Sequence, residues 1–225
     1  MTGRGRLWTV ATLLVALAVP NVAGALPEWL VGPSPGPAVQ FVLFLLYFGA
    51  ATAIVVLVLR ADGVSAADIG IRQPGWITVA SGLALWAVGV VVLPVLTVPL
   101  GRLFGTDGVQ SGINELAALP SALRVFVALG AGAVEELLYR GFAIDRLSRL
   151  TGRPWLAGAV AATLFGLAHV PSWGLGFALS ADLPLGIYMT AFYLWRRDLI
   201  ANMIAHSTGL LVAMFTVVPW AGSQS

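Results

Sequence analysis

The run "VQFVLFLLYFGAATAIVVLVL", Val39 to Leu59, contains no charged side chain. A helix needs about 20 mostly apolar residues to cross the hydrocarbon core of a bilayer, and this stretch meets that length. In lipid a spanning segment must satisfy its own backbone hydrogen bonds, so the run reads as a transmembrane helix. Six further apolar runs flank it, at Leu7–Ala25, Trp76–Val98, Ala122–Phe142, Trp155–Val170, Leu175–Trp195 and Leu199–Trp220. The fifth run of the seven is short, and Asp182 and Pro184 weaken the sixth. The expected fold is all-α: a polytopic transmembrane helical bundle of about seven spans.

Composition agrees. Of the 225 residues, 59% are hydrophobic and 10% charged, against roughly 25% charged in soluble domains. A net charge of +2 gives no footing for nucleic acid, so the expected partner is the lipid bilayer. Cysteine is absent, which excludes disulfides, thiolate zinc sites and a cysteine nucleophile.

The basic residues, all arginine, set the orientation. With the N-terminus inside, the cytoplasmic loops hold Arg4, Arg6, Arg60, Arg72, Arg140, Arg146, Arg149, Arg153, Arg196 and Arg197. Arg102 and Arg124 fall on the outer side. That bias predicts N-in and C-out. The first run also has the basic start, apolar middle and Ala23-Gly24-Ala25 end of a signal peptide, so cleavage there stands as an alternative to an uncleaved span. The loop Gly32-Pro33-Ser34-Pro35-Gly36 matches the serine-hydrolase pattern G-x-S-x-G. Its flanking prolines deny it the strand–turn–helix setting, and it reads as a turn.

Charges inside the fourth span demand a reason. In "GAGAVEELLYRGF", Gly130 to Phe142, Glu136 and Arg140 are four apart with the acid first, the favourable order for a helical ion pair. Glu135 points to another side and has no sequence-local partner. An unpaired carboxylate at membrane depth costs about 2.5 kcal/mol or more, which makes it a functional candidate. The two histidines, His169 and His206, lie on the fifth and seventh spans. If the fourth and fifth spans form a hairpin turning near Gly152, Glu135 and His169 come to matching depth. His206, nine residues past Arg197, can reach the same inner half.

Three ionisable groups converging on a water-reachable pocket suit hydrolysis. A glutamate takes a proton from water and passes it to a leaving amine. A histidine orients that water, and a further donor stabilises the oxyanion. Glu135, His169 and His206 are equally a zinc set once water completes it, so the cofactor is either none or one divalent metal. The small residues Gly130 to Ala133 and Ala157 to Ala162 favour the close helix approach such a site needs.

The pattern resembles the CPBP family of intramembrane proteases, which includes the type II CAAX prenyl proteases and the bacterial Abi proteins. "EELLYRGF" (135–142) is similar to its E-E-x-x-x-R motif, "FGLAH" (165–169) to its F-x-x-x-H motif, and "NMIAHSTGL" (202–210) to its third, built on histidine. "DIGIRQP" (68–74) is similar to a stretch often placed ahead of the core. The resemblance implies an intramembrane endopeptidase, glutamate-dependent or metallo, in the plasma membrane with its site toward the cytoplasm. The substrate it implies is a membrane-associated protein or peptide. The resemblance also implies Glu135 as general base and His169 sharing the water. Glu136 and Arg140 support the site, Phe165 belongs to the second motif, and His206 faces the oxyanion. Many relatives carry Asn or Asp where this chain has Leu210; Asn202, Ser207 or Thr208 is then the substitute donor.

The expected organisation is N-terminal spans over 1–121, a catalytic core of four helices over 122–220, and a short tail over 221–225. Two other readings stand beside the protease. One is a weak or inactive relative acting as a scaffold, immunity or binding protein. The other is a transporter with a proton relay.

Overall fold

The computed structural model describes residues 3–32, 36–105 and 117–216. Among them there is no strand; seven helical rods account for the chain. Helix α1 runs Gly3–Val31, α2 Pro37–Ala61 and, after a 3-10 turn at Ala67–Ile69, α3 Trp76–Phe104. The fourth rod is α4 (Ser121–Glu136), a π-helical stretch Leu137–Ala143, and α5 (Ile144–Thr151). Then come α6 (Pro154–Ala168), α7 (Val170–Phe177), a second π-helical stretch Ala178–Asp182, α8 (Leu183–Arg196) and α9 (Leu199–Thr216).

Each expected span has its rod, with most boundaries displaced by only a few residues. By length and apolarity, four helices among the described residues can cross a membrane: Pro37–Ala61, Trp76–Phe104, Trp173–Arg196 and Leu199–Thr216. Pro154–Ala168 is apolar but shorter, in line with the short fifth run. The fourth rod departs most from expectation, continuing beyond Phe142 to Thr151 and winding as a π-helix on the way. The serine of the G-x-S-x-G match and the last four residues of the seventh expected span lie outside the described residues.

Hydrogen bonds fix which loops share an end. Trp8 Nε1 donates to Asp62 at 2.9 Å, Leu199 N–H to Gly70 O at 3.0 Å, and Arg197 to Asp68 O at 2.8 Å. These contacts gather the start of α1, the α2–α3 loop and the α8–α9 turn at one end. Arg124 donates to Leu119 O at 2.7 Å and to Met214 O at 3.1 Å, tying the start of α4 to the close of α9 at the opposite end. The arginine-rich loops therefore cluster together at one end. Trp76, Trp155 and Trp195 are all strongly exposed near this same end, where indole rings favour a membrane–water boundary.

Two arginines expected in loops are not there. Arg140 and Arg146 are both fully buried. Arg146 pairs with Asp62 and lies 5.0 Å over the Phe142 ring, pinning α5 to the end of α2. A buried cation needs such partners because desolvation is expensive.

The segment "DIGIRQP" docks on the turn before α9. Gly70, at φ 83°, sits so close that a Cβ would lie 2.7 Å from Arg197 O, so only glycine fits. Ahead of it Ser65 donates through its N–H (2.8 Å) and hydroxyl (2.7 Å) to Asp68, and these bonds hold that carboxyl below the usual range.

The hairpin between α5 and α6 turns at Gly152 in the left-handed conformation, φ 66°, as the sequence suggests. The small residues pack as expected too. A Cβ on Gly132 would come 2.7 Å from Ser207 N, so α4 touches α9 almost backbone to backbone, and one on Gly158 would come 2.8 Å from the Thr190 side chain, so α6 packs closely on α8. The main core gathers Leu137 to Ile144 with Ile69, Tyr193 and Leu199. This layer closes the bundle toward its arginine-rich end.

Candidate active site

Glu136 ends α4 and is fully buried at the centre of a polar knot. Arg140 Nη1 donates to its Oε1 at 2.9 Å, and Asn202 Nδ2 donates to its Oε2 at 3.2 Å. His206 Nδ1 stands 2.9 Å from Oε1. A carboxylate only accepts, so this contact places the proton of a neutral His206 on Nδ1 and leaves Nε2 bare. Arg140 also donates to Gly186 O at 3.2 Å and stacks 4.5 Å over the Phe165 ring. Asn202 also donates to Met189 O at 2.9 Å. The knot thus joins α4, α6, α8 and α9.

The π-helical stretch lets Arg140 reach both Glu136 and α8. A π turn inserts extra backbone and re-aims the side chains after it, a device common at functional sites. Its seven residues, Leu137–Ala143, are all buried.

Above the knot lies a cavity of about 650 Å³, with Glu135, Tyr139, His169, Asp182 and His206 on its wall. The three residues that the sequence singled out as Glu135, His169 and His206 do meet in one chamber. Their pairing differs from the expected one. His206 Nε2 faces Glu135 Oε2 at 3.8 Å, while His169 turns its Nδ1 to Phe165 O at 2.9 Å and toward Asp182 at 3.6 Å. At 3.8 Å the Glu135–His206 gap is too long for a direct hydrogen bond and suits a bridging water.

The rest of the wall is apolar and aromatic, with Phe44, Phe48, Leu85, Trp86 and Leu93 among its members. It continues to Thr97, Val127 and Met214, close to the arginine-poor ends of α3, α4 and α9. Leu210 lines it as well. Phe165 forms the floor, its ring 5.0 Å from His169, 6.1 Å from His206 and 5.2 Å from Tyr139.

The substitutes for a donor at Leu210 fare poorly. Asn202 spends its amide hydrogens on Glu136 and Met189 O and does not line the chamber. Ser207 packs against Gly132, and Thr208 donates back to Ile204 O at 2.7 Å. Tyr47 and Tyr139 do line it, and neither phenol has a hydrogen-bond partner among the described residues. The sequence reading passed over both, as tyrosine in an apolar helix gives no distinctive signal. It passed over Asp182 as a site residue for the opposite reason, taking the acid only as a flaw in a span.

Residues 117–212 match the Rce1-like family of type II CAAX prenyl endopeptidases. The Rce1-like segment takes in all three motifs, from Glu135 through His206 to Leu210. No curated protein and no solved structure matches the chain.

A zinc site needs three ligands converging on one point at about 2 Å. Among the described residues no three His, Asp or Glu side chains are grouped to hold a metal ion. Each imidazole is anchored through Nδ1, His206 on Glu136 and His169 on Phe165 O, which leaves both Nε2 atoms without a protein hydrogen bond among the described residues.

Proposed function

We propose that the chain is an intramembrane endopeptidase that cleaves membrane-associated proteins or peptides with a water activated by Glu135 and His206. The observation that carries this reading is the 3.8 Å gap between Glu135 Oε2 and His206 Nε2 on the cavity wall. Two acceptors on either side of one water draw off both its hydrogens and free its lone pair for attack. Glu136 and Arg140 hold the His206 ring in the tautomer this needs.

The steps balance as ordinary amide hydrolysis. The water oxygen bonds to the substrate carbonyl carbon while Glu135 takes its proton. The carbonyl oxygen becomes an oxyanion, for which Tyr139 or Tyr47 is the neutral donor that the chamber offers. Collapse breaks the C–N bond, and the proton held by Glu135 passes to the leaving amine. His169, with its Nε2 edge free, orients water or substrate on the other side. A largely apolar chamber excludes competing water and strengthens each polar contact.

The arginine-rich end is the one assigned to the cytoplasm, in a plasma membrane. The chamber runs from Glu135 away from that end, and the packed layer of Ile69, Leu137 and Leu199 lies on the other side. Substrate accordingly reaches the site from within the membrane, through the arginine-poor half, rather than directly from the cytoplasm. The test is Glu135→Gln, which keeps shape and removes the base. It should abolish a specific cleavage in membranes while leaving the fold intact.

A further inference from the structure

Asp182 has no part in the steps above, yet an acid within a spanning helix needs a reason. The residue is 6% exposed and lines the same cavity as Glu135. Its Oδ2 is buried, makes no hydrogen bond, and lies 3.6 Å from His169 Nδ1. No arginine stands within ion-pair distance of it among the described residues. The backbone takes trouble to place it there. Gly174 breaks the helix at φ 82° and ψ 164°, and a π-helical stretch, Ala178–Asp182, then ends on the aspartate itself.

His169 shows what the acid faces. Its Nδ1 lies 2.9 Å from Phe165 O, a carbonyl that can only accept, and the Asp182 carboxylate approaches the same nitrogen. Which ring nitrogen of a histidine carries the proton is set by the partner of the other. Here two acceptors crowd Nδ1, and Nε2 is left as the edge without a protein partner.

We propose that Asp182 is a positioning residue for His169. It holds the ring in the Nδ1–H tautomer and turns a bare Nε2 into the chamber, ready to accept a hydrogen from water or substrate. Its purpose rests on the proteolytic reading, but its test does not.

The chain has only two histidines, so the full-length protein labelled with 15N-histidine in lipid nanodiscs shows two ring systems. The spectrum of His169→Gln identifies the ring that remains as His206. At neutral pH the expected wild-type result is a His169 ring protonated on Nδ1 and bare on Nε2. In Asp182→Asn a second population protonated on Nε2 should appear while the His206 signals hold still. Asp182→Glu, which keeps the carboxylate, should retain the single tautomer. A wild-type ring protonated on Nε2 overturns the proposal, as does an Asp182→Asn spectrum identical to wild type. Should Asp182→Asn disturb His206 as well, the fold has moved, and the wild-type tautomer together with Asp182→Glu decides. Cleavage that persists in Glu135→Gln contradicts the proteolytic reading and leaves these signals untouched, so the two failures are distinguishable.

Discussion

His206 Nδ1 and Glu136 Oε1 lie 2.9 Å apart in a fully buried contact, and this bond decides which edge of the imidazole meets the chamber. Glu136 therefore serves the site without touching substrate. Removing its charge leaves Arg140 buried beside a neutral amide. Breaking a buried ion pair in this way costs about 3–5 kcal/mol. Glu136→Gln should consequently lower the midpoint of thermal unfolding in detergent and cut cleavage together. Glu135→Gln should cut cleavage alone. Unfolding curves of the two variants side by side check the distinction.

Gly132 tests the close approach of α4 and α9. A side chain there meets Ser207 Oγ at 2.3 Å and Ser207 N at 2.7 Å, and the backbone contact leaves little room to yield. Gly132→Val should destabilise by about 1–3 kcal/mol through overpacking. It should also separate Glu135 from His206, and displacements near 1 Å cost on the order of a hundredfold in rate. Gly36→Ala, with nothing within 4 Å of the added carbon, is the control and should do neither.

Leu210 stands one helical turn past His206 and lines the chamber. Leu210→Asn places an amide donor on that wall. If the oxyanion is held only by a phenol in the wild type, the added donor should raise the cleavage rate by about tenfold or more. Leu210→Ala, which merely widens the chamber, should not. Rates of product formation in membranes from the two variants separate the effects.

The absence of cysteine makes access to the chamber measurable. A single cysteine at Thr97, on the chamber wall toward the arginine-poor end, should react with a membrane-impermeant maleimide added to intact cells. A cysteine at Ser65, in the α2–α3 loop at the arginine-rich end, should react only after the membrane is opened. The reverse pattern would contradict both the orientation and the direction in which the chamber runs.

Much of this fold was legible because apolar length is a strong signal. The run from Val39 to Leu59 lies inside a helix of 25 residues, and Gly152 turns the hairpin that brings α6 back along the fourth rod. The matching depth of Glu135 and His169 followed from counting residues away from that turn, and the depth of His206 from counting past Arg197. Rotation about each helix axis was not legible. The π-helical stretch after Glu136 has no marker in "LLYRGFA", yet it re-aims every side chain beyond it. That is why Arg146, which looks like a loop cation, ends fully buried against Asp62 and Phe142. The partnership of Asp182 with His169 crosses a kink at Gly174 that no periodicity encodes. Asn202 was one of three candidates, with Ser207 and Thr208, for the donor missing at Leu210; its amide donates to Glu136 and Met189 O.

The most direct measurement is a comparison of membrane fractions from cells carrying the wild-type chain and Glu135→Gln at equal abundance, with protein termini identified by mass spectrometry. At least one new terminus should be present with the wild-type chain and lost with the variant, a fall of about a hundredfold or more for a missing general base. Identical sets of termini in the two membranes would contradict a hydrolytic role for Glu135.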